Sequence, residues 1–495
     1  MGKPFLTVED LKACFSLCCC VYGIGTLGMP GNFARAGFLW ATLALVCMAS
    51  INIYSTVCIS KLMLAAPTHV RTFGDLGEFV LGTWGRWLVT IPHMITCLLC
   101  PIAFLVLGGM LLTTLFPGSF QDETWIIVMG LTLLPLCLVP TLKEGAAIAA
   151  AGFLGTIITD TTSLSMLVYN MHTANVDHLS TPPSNLSVKQ VATVFGNLAL
   201  AYGAGLVVPS LQREHSDPSR MPRIIVVSLT LVSVLFLTVS ITGYSVTGCQ
   251  IPGNLLFAIA GTKLGFTFHR GGVVIAYLAM QMHITIAFSV IIFPAFYTLE
   301  KIFLGIHQAS PHVQVVSQLE GDVEAAASLG FVASGTPLSP ASILKKQDDD
   351  ASHDIDNETY RRPGVYAKVA VLRILTIVAS VVIAVLWKDH LLELLDFIGS
   401  STIAICCMIL PMVFYIKHFG TKLHVAERVF ASLAIVLCVV LGAYVTYNSA
   451  GPLFNPPPAT PGPVPWDAPK FPYCSGSFVN IVFTNTSYHS AWQKP

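Results

Sequence analysis

The sequence predicts an all-helical integral membrane protein of about 11 passes, built as two repeats of five helices with the first and sixth helices broken. Three observations predict it. The 495 residues are 54% hydrophobic and only 11% charged, with mean hydropathy +0.72, so the bilayer is the solvent. Apolar runs long enough to span recur at 12–33, 38–64, 87–116, 125–142, 146–170, 189–210, 222–248, 271–304, 366–387, 391–417 and 426–447. Within the first and sixth runs lie glycine-rich stretches closed by proline, Gly23 to Pro30 (GIGTLGMP) and Gly203 to Pro209 (GAGLVVP), and each opens a block of five runs.

A membrane helix tolerates such stretches poorly, because glycine loosens it and proline cannot donate its backbone bond. In lipid, freed backbone groups must find partners, so broken helices persist where they line a cavity. Interrupted helices in corresponding positions of two halves are the sequence sign of an inverted-repeat transporter with its site at the breaks. Each break leaves free N–H groups on one side and free carbonyls on the other. The N–H end suits a carboxylate and the carbonyl end an ammonium group. A zwitterionic α-amino acid presents both. The candidate substrate residues are therefore Gly23, Gly25, Thr26 and Gly28 at the first break, and Ala201, Tyr202, Gly203 and Gly205 at the second.

Taken in order, residues 1–11 are a short cytoplasmic N-terminus and 12–170 the first repeat. The first run is too long for a secretory leader and lacks a clean small-residue cleavage site. Residues 171–188 form an outer loop. The second repeat, 189–417, contains a cytoplasmic linker at 305–364, rich in Ser, Gln, Asp and Glu and read as disordered. Helix 11 occupies 418–447, and 448–495 is a Pro-rich outer or lumenal tail, extended as polyproline in its first part. With the N-terminus in the cytoplasm, 19 of the 26 Lys and Arg fall on or near the inner side and the C-terminus lies outside. Glycosylation candidates Asn185 and Asn485 then fall outside, while the sequon at Asn357 falls inside. Cys249 and Cys474 both fall outside and are paired as a candidate disulfide; most of the other 12 of 14 cysteines lie in apolar runs, without metal-site spacing, and read as small packing residues.

No P-loop, zinc-ligand cluster or nucleophile elbow occurs, so an enzyme is not expected, and zero net charge argues against a nucleic-acid partner. Polar groups at membrane depth carry the function instead. Asp160, in the middle of the fifth run, is a candidate proton carrier, or else a residue bonded to neighbouring Thr159, Thr161 or Thr162. His283 is a second coupling candidate. Thr285, with Ser289 one turn on, offers oxygens to a cation, or bonds its own helix backbone. Glu300 and Asp396 are expected at the membrane interfaces.

These stretches resemble the amino acid/auxin permease family over about residues 8–447. GIGTLGMPGNFARAGF (Gly23 to Phe38) resembles its first helix. NLALAYGAGLVVPSLQREHSDPSRMP (Asn197 to Pro222) resembles its sixth helix and following loop, and GYSVTG (Gly243 to Gly248) the end of the seventh. HITIAFSVIIFPAFYTLEK (His283 to Lys301) is similar to the eighth, and LLDFIGSSTIAICCMILPMVFYIK (Leu394 to Lys417) to the tenth. The resemblance implies 11 helices in a LeuT-like 5+5 inverted repeat, backbone recognition of an amino acid at the first and sixth helices, and secondary active transport coupled to protons or, in some branches, sodium. Sodium-coupled members carry an asparagine where this chain has Cys19, and thiol is a poor ligand for a hard cation. Plant members often carry an acidic residue where this chain has Asn197. A proton-coupled symporter of a plasma, vacuolar or lysosomal membrane, without cofactor or metal, is the expectation. An amino-acid sensor with little flux, or a carrier of auxin-like acids or amines, is the alternative.

Overall fold

Glycine and proline set the first element boundaries. In the computed structural model, which describes residues 5–67, 70–139, 146–173, 181–260, 264, 268–306, 360, 363–455 and 471–483, pass one starts as α1 (Val8–Val21). A capping box of Thr7 and Asp10 opens α1. The helix stops at Tyr22 and Gly23, resumes as α2 (Ile24–Leu27), and runs on from Gly28 into α3 (Met29–Ala65). Pro30 is accommodated in the first turn of α3, where its missing N–H costs nothing. Gly37, at φ 69, kinks α3 and ends pass one; the remainder of α3 is pass two.

Pass three is α5 (Thr83–Leu115), preceded by the short amphipathic α4 (Phe73–Leu81). Passes four and five are α6 (Asp122–Cys137) and α7 (Ala146–Thr173). Pass six repeats the design of pass one: α8 (Val188–Ala201), a 3-10 turn (Gly203–Leu206), then α9 (Val208–Glu214) with Pro209 in its first turn. Pass seven is α10 (Met221–Thr247), and the short α11 (Leu255–Ile259) leads to pass eight, α12 (Arg270–Leu304). Pass nine is α13 (Val365–Leu386). Pass ten joins α14 (Leu391–Ile398), a π-helical stretch (Gly399–Ile409) and α15 (Leu410–Phe419). Pass eleven is α16 (Val425–Phe454).

Among the described residues, nine helical stretches are long and apolar enough to cross a membrane on their own. One of these, α3, holds the end of pass one and all of pass two; α6, with 16 residues, supplies pass four, which brings the passes to eleven. Burial separates inner from outer positions. The most apolar stretches of α5 and of pass ten are 72% buried, against 28% for α13 and α16, which therefore lie at the periphery. Leu43, Val46, Leu231, Val378, Val382, Leu433 and Val440 stay exposed, as a bilayer rather than water requires.

Several expectations are corrected. Pass eleven continues to Phe454, so residues 448–454 are helical rather than extended. The proline cluster at 456–458, most of the linker at 305–364, and Asn485 lie outside the described residues. Glu300 and Asp396 stand near the end of pass eight and the start of pass ten, and both are buried within the protein. Arg373 Nε donates to Glu300 Oε1 at 2.7 Å and the Tyr360 hydroxyl to Oε2 at 2.7 Å, while Arg373 Nη1 donates to the Cys137 and Val139 carbonyls. A buried carboxylate is tolerable when both oxygens are bound this way.

Candidate substrate and coupling site

The two breaks share more than glycine and proline. Each reads Tyr-Gly-x-Gly, at 22–25 and at 202–205, and each begins with a tight turn: Gly23 N–H donates to the Val21 carbonyl at 3.2 Å, and Ala204 N–H to the Tyr202 carbonyl at 2.7 Å. The ends of α1 and α8 therefore point carbonyls at the breaks, and the starts of α2 and α9 point N–H groups there. The breaks touch each other. A methyl at Gly25 would lie 2.7 Å from Ala201 Cβ and 2.8 Å from its Cα. At Gly28 a methyl would meet the Asn197 amide at 2.7 Å, and at Gly23 it would meet His283 Nε2 at 2.6 Å. Gly205 packs close to Cys407 of the π-helical stretch, whereas Gly203 has Ile403 no nearer than 3.6 Å.

Of the coupling candidates, two reach the first break. Thr26 Oγ1 donates to Asp160 Oδ2 at 3.1 Å, with both residues buried. Asp160 therefore bonds across to pass one rather than to Thr159, which donates instead to the Gly155 and Ala276 carbonyls. Asp160 Oδ1 has no well-aligned hydrogen bond, although the Tyr22 hydroxyl lies alongside, and Asp160 has no ion-pair partner among the described residues. His283 Nδ1 is 3.0 Å from the Gly152 carbonyl of pass five, and its Nε2 faces Gly23. Thr285 is not brought to the break by its hydroxyl, which donates to the Gln281 carbonyl of its own helix at 2.9 Å; Ser289 bonds its own helix too.

Phe236 of pass seven was not anticipated. Tyr22 stacks on it with centroids 5.6 Å apart, and Tyr202 meets it edge-on at 5.3 Å. Tyr202 also shares a 2.7 Å hydrogen bond with Ser233. The repeated Tyr-Gly-x-Gly was the available signal for this cluster.

Ion pairs stand at both ends of pass one. On one side, Arg35 Nη1 donates to Asp396 Oδ2 at 2.7 Å, and Arg35 Nε to the Tyr473 hydroxyl at 3.1 Å. Between that pair and Gly28 is a void of about 10 Å³ lined by Asn32, Asn197 and Asp396, room for about one water. On the other side, Asp10 is bound by Arg220 Nη2 at 2.6 Å and lies 3.0 Å from His215 Nε2. Glu9 accepts from Ser216 N at 2.7 Å, and Arg220 and Arg223 donate to the Phe5 carbonyl. These contacts pin the start of α1 to the loop between passes six and seven.

A family model described as transmembrane amino acid transporter protein matches residues 9–450. The chain belongs to the transmembrane amino acid transporter family. It is similar to the amino acid transporter AVT1I of Arabidopsis thaliana, 24% identical over 245 residues, covering 48% of this chain and 60% of that one. It is 23% identical over 255 residues to the N amino acid transport system protein of Neurospora crassa, covering 49% of this chain and 50% of that one. The chain thus spans 60% or less of the length of these curated relatives. In fold it is similar to a crystal structure of a manganese transporter variant from Eremococcus coleocola, with TM-score 0.51 at 13% identity, covering 92% of this chain and 89% of that one. The chain is an all-helical multi-pass integral membrane protein with a LeuT-like fold, and its family consists of transporters, not enzymes.

Proposed function

We propose that this transmembrane amino acid transporter is a proton-coupled symporter working by alternating access, with the α-amino and α-carboxyl groups of its substrate held by the two breaks. The observation that carries the reading is the Thr26–Asp160 hydrogen bond. It ties a buried carboxyl to the break that would hold the substrate. A carboxyl in that setting without an ion-pair partner is balanced by a proton or by a carried cation. Cys19, in place of an oxygen ligand, favours the proton over sodium. His283, through Nε2 against Gly23, is the second group placed to sense the break.

The Arg35–Asp396 pair then serves as the outer gate, and Asp10 with Arg220 as the inner latch. Breaking one and keeping the other exposes the breaks to one side at a time. The lysine and arginine bias and the disulfide joining Cys249 to Cys474 support a cytoplasmic N-terminus and an outer or lumenal C-terminus. The plasma membrane or a vacuolar or lysosomal membrane fits this orientation. Asn185 is exposed on that outer face, as a glycosylation site requires. The direct test is uptake by Asp160→Asn, which keeps an oxygen to accept from Thr26 but cannot exchange a proton. Amino-acid uptake that loses its acid stimulation supports the reading, and undiminished stimulation counts against it.

A further inference from the structure

Residues 471–483 lie beyond the family match, which ends at 450, yet they are fastened to the membrane domain at several points. Cys474 is joined to Cys249, just past pass seven. Gln250, only 1% exposed, gives its whole amide to this segment: Nε2 donates to the Phe478 and Ile481 carbonyls at 3.0 and 2.8 Å, and Oε1 accepts from Phe483 N at 3.1 Å. Asn185 N donates to the Tyr473 carbonyl at 2.8 Å, and Phe471 N to the Val479 carbonyl at 2.8 Å, which closes the segment on itself. Phe471 and Phe483 are buried. The result is a clasp whose frame holds Tyr473 over Arg35, with the guanidinium 5.7 Å from the ring centroid and Nε on the hydroxyl.

We propose that Tyr473 is a positioning residue of the outer gate and that the disulfide-anchored clasp holds it in place. This rests on reading Arg35 and Asp396 as that gate. The two partners of Arg35 come from different parts of the molecule. Asp396 sits on α14 of pass ten, whereas Tyr473 rides on a clasp tied to the end of pass seven and to the loop at 182–185. Holding Nε fixes torsions that Arg35 would otherwise have to freeze each time it met Asp396. The clasp therefore raises the share of molecules with the outer gate shut. Freeing the clasp by reduction, or removing the tyrosine, lowers it.

The test uses the full chain with Asn32→Cys as reporter, because Asn32 lines the void beneath the gate. A membrane-impermeant maleimide is added from the outer side, and labelling is counted above the same variant lacking the reporter. Tyr473→Ala and the double variant Cys249→Ser/Cys474→Ser should each label about fivefold faster, the factor expected for losing a typical hydrogen bond. Tyr473→Phe removes the same hydrogen bond while keeping the ring, so it should rise by a similar factor without disturbing the packing of the clasp. A reductant should speed labelling of the disulfide-bonded chain and leave the double variant unchanged. Asp396→Ala is the benchmark for an open gate. If Asp396→Ala labels fast while Tyr473→Ala and the double variant match the parent, the clasp has no role in gating and the proposal is overturned. If Asp396→Ala itself labels no faster, the gate reading beneath it falls. Neither outcome depends on amino-acid uptake.

Discussion

Gly25 and Asp160 bear most of the argument at the scale of single residues. A side chain at position 25 meets Ala201 backbone as well as side chain, so neither break can simply step aside. Gly25→Ala should cut uptake by roughly tenfold or more at equal surface expression, consistent with ~1–3 kcal/mol of overpacking. Gly203→Ala, whose nearest neighbour is 3.6 Å away, should reach the surface at the parental level, so any loss of its uptake reports on the substrate space at the second break rather than on packing. Radiolabelled uptake normalised to biotinylated surface protein separates the two. Asp160→Asn, which keeps an acceptor for Thr26 but cannot take up a proton, should abolish the acid stimulation of uptake. The sequence made Gly25, Ala201 and Asp160 legible as candidates, because glycine, proline and a lone acid stand out in apolar runs. It did not make legible that Thr26 meets Asp160, because a hydrogen bond across 134 residues depends on how passes one and five are rotated. The Tyr-Gly-x-Gly repeat was visible, but its purpose emerged only once Phe236 was seen between the two tyrosines.

Among the elements, the closest crossings are set by glycine and the firmest joints by buried charge. Gly196 of α8 packs on Asp396 and Gly399 on the Gly196 carbonyl, so passes six and ten meet backbone to backbone, which places Asp396 in reach of Arg35. No periodicity announces the π-helical stretch that follows, nor the positive φ at Gly37 that kinks α3 between passes one and two. Those features arise from packing across distant passes. The Glu300–Arg373 pair gives a test at this scale. Arg373→Met alone leaves a buried carboxylate uncompensated and should cost about 3–5 kcal/mol, seen as lost thermal stability in detergent. Glu300→Leu combined with Arg373→Met should recover much of that loss, because a packed apolar pair needs no desolvation. A double variant no more stable than Arg373→Met would mean the pair does more than satisfy itself.

For the whole molecule, composition and the spacing of apolar runs sufficed to read the 11 passes and the paired breaks, because a bilayer admits few solutions. The tail was legible only as far as the Cys249–Cys474 pair, which the structure joins; the buried Gln250 amide that completes the clasp follows no membrane rule. The orientation predicts that an antibody to a tag following residue 495 binds intact cells or the lumenal face of vesicles, while a tag before residue 1 is reached only from the cytoplasmic side. The opposite pattern would reverse the assignment of outer gate and inner latch. The central claim is that proton movement is tied to amino-acid movement through Asp160 beside the first break. The measurement that tests it most directly is amino-acid-evoked current in cells or proteoliposomes at acidic and neutral outer pH, with and without sodium, for the parental chain and Asp160→Asn. The account predicts an inward current that grows in acid, ignores sodium and disappears in Asp160→Asn. A current that requires sodium, or one that keeps its acid dependence in Asp160→Asn, would contradict it.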